Sequence, residues 1–498
     1  MIDTSSYLTT DGAPLSERAM DSISDIPRCR SLLIVPSFLK HFGGPLAGPA
    51  YLKGAGERAG HQVQVLDLNH SWIAERIVSP HRSGEIKGDH DKPSAQLGVL
   101  HAEWQKLLAA CWPSEISPNE FERRIVALYS STEEVDGCAQ NLAASSFGSW
   151  VQAKLRAMSR PDVVGLSVMF SGQVIAALAI TRLVKLVWPA VKVVWGGAHV
   201  TALAERIGQD TSYGVWVDGF VAGYAERTWV ELLDAVAEGK PWPAEVFGAG
   251  MKQVRAKEDG TTVPFFDLAD YRDGSLTIPV QASRGCAYAK CTFCTYPKIE
   301  GSFRKMSLSA LEPVIRLAEK HDAVLSFKDS LLIPTQLKDV AALIKGRVTW
   351  SACTKLHASL DTATLRRMYS EGLRTLEIGL ETLDEGSQDL INKQQSLGLF
   401  RDFLDASAAA GVAVVINYMT GLPGADPGEE QRWLEVVRAE VSARPSLQAV
   451  VEHNVFQLEM LSPMGRDPRR YGIEVVSQWP WSSLMEFRLE TSGFSLAS

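Results

Sequence analysis

The sequence predicts an α/β chain: an N-terminal doubly wound parallel sheet followed by an incomplete (β/α)6 barrel. Three observations carry that prediction. Short apolar runs alternate with amphipathic helical stretches in two separate series. Three cysteines cluster just behind the first strand of the second series. The 498 residues suit two or three domains better than one.

Hydrophobic residues make up 46% of the chain and charged residues 22%, an ordinary globular balance. A net charge of -8 and a pI of about 5.8 argue against a general nucleic-acid or membrane-surface binder. The first residues are polar and carry no signal-peptide pattern, so 1–29 is expected to be a flexible leader.

The first series opens with "SLLIVPS" (31–37), a buried-strand pattern bounded by Pro and Ser. A helix follows and ends near Gly60, and "QVQVLDL" (62–68) reads as a second strand. Residues from about 70 to 160 hold Trp72, Trp104, Trp112, Trp150 and many helix formers, and read as a mostly helical insertion. Strand and helix then alternate through "DVVGLSVMF" (162–170), "VKVVWGG" (191–197) and "VWVDGFVAG" (215–223). The uncharged run 163–181 is long enough to suggest a short membrane span, but "SGQ" at its middle is polar. It reads as strand, tight turn and helix. The doubly wound unit is thus expected over 30–240. Residues 241–275, with Pro, Gly and mixed charges, read as a linker.

The second series gives strands near 276–283, 323–327, 347–353, 375–381, 413–421 and 447–458, with amphipathic helices between. Six strand–helix units predict an incomplete barrel over 276–460. Residues 461–498, rich in Trp, Pro and Ser, are expected to cap it.

Seven cysteines are too few for a disulfide framework at this length, and a reducing cytoplasm is the expected setting. Cys286, Cys291 and Cys294 follow the spacing C-x4-C-x2-C at the barrel's C-terminal face, where active sites are built. Three thiolates can hold three irons of a [4Fe–4S] cluster and leave the fourth iron open to a chelating substrate. The alternative is a structural zinc site with a distant fourth ligand, for which Cys353 is the available thiol.

These residues resemble the radical S-adenosylmethionine (SAM) enzymes, whose usual spacing is C-x3-C-x2-C with an aromatic residue before the last Cys. Phe293 matches that aromatic, while the extra residue between Cys286 and Cys291 departs from the pattern. "LEIGLET" resembles the fourth-strand motif, which implies that Glu381 approaches the SAM ribose or amino group. "NKQQS", with Asn392 and Lys393, resembles the helix end that follows it. "NYMTGLPGAD" resembles the fifth-strand segment, with Gly421 and Pro423 bordering the adenine. "SFKDS", with Asp329, resembles the second-strand segment near the SAM amino acid. The resemblance covers about 276–465 and implies a TIM-type partial barrel. In that family, SAM chelates the open iron, and one-electron reduction yields a 5'-deoxyadenosyl radical that takes hydrogen from an unactivated carbon. An electron donor such as flavodoxin or ferredoxin is implied.

The first sheet is similar to the Rossmann-like cobalamin-binding domain that precedes the barrel in one radical SAM subgroup. The segments are 30–70, the Gly-Gly-x-His stretch "VVWGGAHV", and "VDGFVAGYAE". The resemblance implies cobalamin contacts from Ser167, Ser171, Gly196, Gly197, His199, Gly223 and Glu226, although Gly196–Gly197 also reads as a tight turn and His199 as a helix cap. The loop "PSFLKHFGG" lacks the Asp-x-His-x-x-Gly pattern, so His41 is not expected to ligate cobalt.

The leading reading is a cobalamin-dependent radical SAM C-methyltransferase acting on a natural-product intermediate or a peptide. One alternative is the same fold performing rearrangement or cyclisation without methyl transfer. Another is a non-catalytic iron–sulfur partner protein. A methylthiotransferase would need further clustered cysteines, and Cys29, Cys111 and Cys138 are widely spaced. Tyr296 and Arg304 follow the cluster as candidate catalytic residues. Cys353 ends a barrel strand, where a small buried thiol is the plainer reading.

Overall fold

The computed structural model describes residues 28–38, 44–78, 131–271 and 276–489. Nearly all of the expected leader, His41, Cys111 and much of the expected insertion lie outside these residues.

The first sheet is built from β1 (Arg30–Val35), β2 (Gln62–Asp67), β3 (Val163–Ser167), β4 (Lys192–Gly196) and β5 (Gly219–Val221), all parallel, in the spatial order β2-β1-β3-β4-β5. Strand periodicity sorts its side chains. Leu32 and Ile34 enter the core on one face with the helix Val174–Val187, while Leu33 joins Trp229 and Leu232 on the other. Burial on both faces explains why these strands read as continuous apolar runs. The order reverses between β1 and β3, which opens a crevice beyond their C-terminal ends.

The uncharged run 163–181 resolves into β3, a 3-10 turn at Ser171–Gln173 and a buried helix. Among the described residues, no helix is long and apolar enough to cross a membrane. The described part of the expected insertion is helical, with Thr132–Ala144 and Ser146–Arg156 packed on the helix Val174–Val187. The expected linker is not without structure: β6 (Val246–Phe247) pairs antiparallel with β5, and Arg255 bridges to Ala222. Two residues are too short to show any period in sequence.

β7 (Thr277–Val280) opens the second sheet, and a short antiparallel pair, β8 (Ser283–Arg284) with β9 (Arg304–Lys305), follows it. β10 (Val324–Phe327), β11 (Trp350–Thr354), β12 (Leu373–Glu381), β13 (Ala413–Thr420) and β14 (Ala449–Val455) then add in sequence order, all parallel. This is the expected six-stranded partial barrel. Its outer core takes Leu376, Ile378 and Leu380 of β12, whereas Thr375, Glu377 and Gly379 face the interior and stay partly exposed. β11 and β13 show the same alternation.

The expected cap is a three-stranded antiparallel sheet of β15 (Leu458–Glu459), β16 (Ile473–Gln478) and β17 (Leu484–Leu489), in the order β15-β17-β16. It docks on the N-terminal domain through backbone carbonyls. His199 Nε2 donates to Trp481 O at 2.9 Å, and Arg206 Nη1 donates to Trp479 O and Ser482 O at 2.6 and 2.8 Å. Trp481 itself lies against Trp195 and Tyr213.

Burial holds the His199 imidazole neutral and pushes it down to about 4. An unfolded histidine titrates near 6.5, so the stability linked to His199 is complete above that pH and is lost as pH falls toward 4, on the order of 3 kcal/mol. Thermal melts from pH 7 to pH 4.5 are expected to fall more steeply for the native chain than for His199→Gln, which cannot titrate. Parallel curves would contradict this role.

Candidate functional site

The cluster loop is held at its entry by buried side chains. Arg284, 1% exposed, pairs with Glu226 of the N-terminal domain and reaches Glu258 at 3.1 Å. Asp329 accepts from Ala282 N at 3.1 Å, and from Ser283 N and Oγ at 2.5 and 2.6 Å. Glu300 accepts from Gly285 N at 2.8 Å and Ser330 Oγ at 2.7 Å. Gly285 has φ 73°, and a Cβ there would meet Gly301 O at 2.7 Å, so only glycine fits.

The exit of the loop docks on the end of the helix Glu385–Ile391. Tyr288 OH donates to Asn392 O at 2.6 Å, Asn392 Nδ2 to Lys290 O at 3.3 Å, and Thr292 Oγ1 to Leu390 O at 2.8 Å. Asn392 takes a left-handed conformation to end that helix. The additional residue between Cys286 and Cys291 is absorbed by Ala289, also left-handed at φ 49°, whose N–H donates to Cys286 Sγ at 3.4 Å.

Cys286, Cys291 and Cys294 are all partly exposed. Burial pushes the Cys291 and Cys294 thiols up, Cys294 to about 12, and the other cysteines of the trio add to it. Iron binding would have to displace their protons. Among the described residues, no three His, Cys, Asp or Glu side chains converge closely enough for a single metal ion. Phe293 packs beside the core formed by Ile391, Leu422 and Phe456.

At the end of β12, Glu381 sits at φ 66° beside a register shift. Lys393 Nζ donates to its Oε1 at 3.1 Å and lies 5.9 Å from the Phe293 ring. Burial works against the Lys393 charge, but Glu381 and the neighbouring thiols outweigh it and hold the ammonium above its ordinary value. A Cβ at Gly379 would come within 2.6 Å of both Glu381 Oε1 and Lys393 Nζ. Gly421 turns at φ 76°; its N–H and that of Leu422 donate to the buried carboxylate of Glu430 at 2.8 and 3.0 Å. Pro423 is buried in the same turn.

At the N-terminal crevice, Ser167 ends β3 and Ser171 follows it, with Phe170 60% exposed between them. Gln173 is fully buried. Its Nε2 donates to Pro36 O at 2.7 Å, and its Oε1 accepts from Met169 N at 2.8 Å, which ties the ends of β1 and β3 together across the crevice. A Cβ at Gly196 would meet only ordinary van der Waals contact, the first neighbour being Val221 O at 3.6 Å. Gly197, at φ 108°, is needed because a Cβ would lie 2.3 Å from Val168 O. Gly223 N donates to Thr201 Oγ1 at 2.9 Å. Two small strand-end positions, two hydroxyls and an exposed ring make a crevice that suits a large planar cofactor.

Several of the expected site residues have partners within the protein. His199 Nε2 is committed to Trp481 O, and the Glu226 carboxylate to Arg284. Asp329 spends both oxygens on the backbone before the cluster loop. Arg304 pairs with Glu258 and donates to Ser302 O at 2.7 Å, which makes it a strut of the β8–β9 pair. In each case the partner lies far away in sequence or on the main chain, where no motif records it. Tyr296 is 52% exposed, among Cys294, Glu300, Cys353 and Glu377. The Cys353 thiol is pushed up to about 12, by burial first and then by Glu377. Sequence reasoning missed Arg284, Gln173, Glu300 and Glu430. Of these, Arg284 carried a signal, a charged residue directly beside the cysteine loop.

Comparisons with known proteins agree with this geometry. Residues 150–233 match the B12 binding domain family, and residues 280–436 match the radical SAM superfamily. The chain therefore carries a B12-binding domain and a radical SAM domain. An uncharacterized methyltransferase, PH0819, of Pyrococcus horikoshii is 24% identical over 321 residues, which span 58% of this chain and 65% of that protein. The radical SAM methyltransferase TsrM of Kitasatospora setae, solved with cobalamin and a [4Fe–4S] cluster, superposes with a TM-score of 0.58 at 15% identity, covering 90% of this chain and 77% of its own. The cobalamin-dependent SAM radical enzyme OxsB superposes with a TM-score of 0.60 at 12% identity, covering 93% of this chain and 64% of its own. At these identities the likenesses establish the fold.

Replacing Cys291 with Ala is expected to abolish iron–sulfur absorption after anaerobic reconstitution, while Cys353→Ala keeps it. Full retention in Cys291→Ala would move the ligand assignment elsewhere. Glu226→Gln leaves the buried Arg284 charge with Glu258 alone and is expected to cost about 3 kcal/mol in denaturant unfolding, with reduced cluster content. A change under about 0.5 kcal/mol would remove the pair from this role.

Proposed function

We propose that this chain is a cobalamin-dependent radical SAM C-methyltransferase that methylates an unactivated carbon of a natural-product intermediate or a peptide. One observation carries the reading. The loop that carries Cys286, Cys291 and Cys294 and the crevice of the first sheet belong to two domains fastened together by the buried Arg284–Glu226 pair. When bound, the cluster with SAM supplies a hydrogen-abstracting radical and the corrinoid supplies a methyl group.

The protein's own residues orient and enclose these groups. Cys286, Cys291 and Cys294 would hold three irons and leave one open. Glu381, fixed by Lys393 and by the space at Gly379, would meet SAM at the mouth of the barrel. The Gly421–Leu422 turn, fixed by Glu430, would border the adenine. Ser167, Ser171, Gly196 and Gly223 would line the corrinoid, with Gln173 holding the crevice to shape. A small-molecule substrate is supported by TsrM, which has been solved with a tryptophan substrate and a SAM analogue. The electron is assigned to a flavodoxin or ferredoxin in a reducing cytoplasm.

The test is anaerobic reconstitution with iron, sulfide, cobalamin and SAM, reduction with dithionite, and mass spectrometry with candidate substrates. A product heavier by one methylene unit, formed together with 5'-deoxyadenosine, is expected. 5'-Deoxyadenosine with an unmethylated product would instead assign a rearrangement. Its absence with an intact reduced cluster would assign a non-catalytic partner.

A further inference from the structure

In a closed barrel the interior is packed with layers of side chains. Here the interior-facing residues of β11, β12 and β13 remain partly exposed while their outward-facing neighbours are buried, so the lumen is open. Three polar groups meet on these adjacent strands. Asn417 Nδ2 donates to Glu377 Oε1 at 2.7 Å, and Cys353 stands opposite Glu377 in the register of β11 and β12. Both neighbours are neutral. Glu381, four residues along the same strand, has the ammonium of Lys393. Among the described residues, no cation forms an ion pair with Glu377, which is held by Asn417. Lys328 acts on Cys353 from an exposed position, and Asp329 is bonded to the backbone.

A carboxylate inside a protein is costly unless a cation meets it. An oriented carboxylate in an open lumen is therefore a receptor for a cation that arrives with a ligand. We propose that Glu377, positioned by Asn417 beside Cys353, binds a positively charged amine of the substrate in the barrel lumen. This rests on the lumen being the substrate site of the enzyme proposed above. The substrate class is thereby narrowed to amines, including amino acids and amine-bearing intermediates.

The experiment uses the full-length, cluster-loaded protein with benzylammonium and benzyl alcohol as matched probes, read by saturation-transfer NMR at pH 7. The ammonium probe is expected to bind more tightly than the alcohol. Glu377→Gln is expected to weaken it roughly tenfold and to leave the alcohol unchanged. The variant should keep its SAM affinity and melt at or above the native temperature, because it removes an uncompensated charge. Equal binding of the two probes, or a preference that survives Glu377→Gln, overturns the proposal. So does lost SAM affinity, which would give the carboxylate to the ammonium of SAM, and so does a melting point lowered by several degrees, which would make Glu377 structural. Probe binding needs no turnover. Failure of the methyltransferase reading would appear separately, as missing 5'-deoxyadenosine and methylated product with the probe preference intact.

Discussion

The buried guanidinium of Arg284 is the contact on which the arrangement of the two domains turns. It lies two residues before Cys286, at the end of the short strand that leads into the cysteine loop. Its charge is met by Glu226 from the first sheet's domain and by Glu258 from the segment between the domains. Tyr224 lies against its face at 3.9 Å and Tyr51 at 5.4 Å. A buried ion pair adds little net stability over an apolar substitute, but losing one partner is severe. It is therefore a device for fixing one relative placement of two parts. Here it sets the cysteine loop against the crevice of the first sheet, and methyl transfer between two cofactors requires that distance and orientation to be fixed.

The same logic of support runs around the loop. Asp329 and Glu300 hold its entry through main-chain N–H groups. Its exit rests on Leu390, Asn392 and the Lys393 turn. Its length exceeds the common form by one residue, and that residue is taken up by Ala289 in a left-handed turn rather than by slack in the chain. A loop bound on both sides keeps three thiols in place before any iron arrives, so assembling the cluster costs little further ordering entropy.

Much of the fold was legible because it is periodic. β1 to β4 and the six barrel strands announce themselves as apolar runs, and the cysteine trio by its spacing. The two-residue β6 and the short strands of the cap lack that periodicity. The site residues that the sequence proposes, Cys286, Cys291, Cys294 and Glu381, rest on local spacing and local motifs. The site was not legible where a polar side chain is committed to a distant partner. Glu226 and His199 sit within a recognisable cobalamin-domain segment, yet their side chains face Arg284 and Trp481, 58 and 282 residues away. Asp329 and Arg304 illustrate the same limit: a motif records residue type, and the geometry decides what the side chain bonds.

Glu381 shows why this site is built under strain. A left-handed glutamate costs on the order of 1–3 kcal/mol and persists only where its surroundings fix it. Lys393 fixes it from one side, and the missing side chain at Gly379 makes the room. Lys393 belongs to the same turn on which the cysteine loop rests, and its carbonyl also accepts from the Lys355 ammonium. The carboxylate that would meet SAM and the thiols that would hold the cluster thus share one support. A shift of that turn moves both together, so their separation is preserved while the domain around them adjusts. SAM must reach the open iron and lie along the barrel mouth at once, and a shared support meets that demand better than two independent ones.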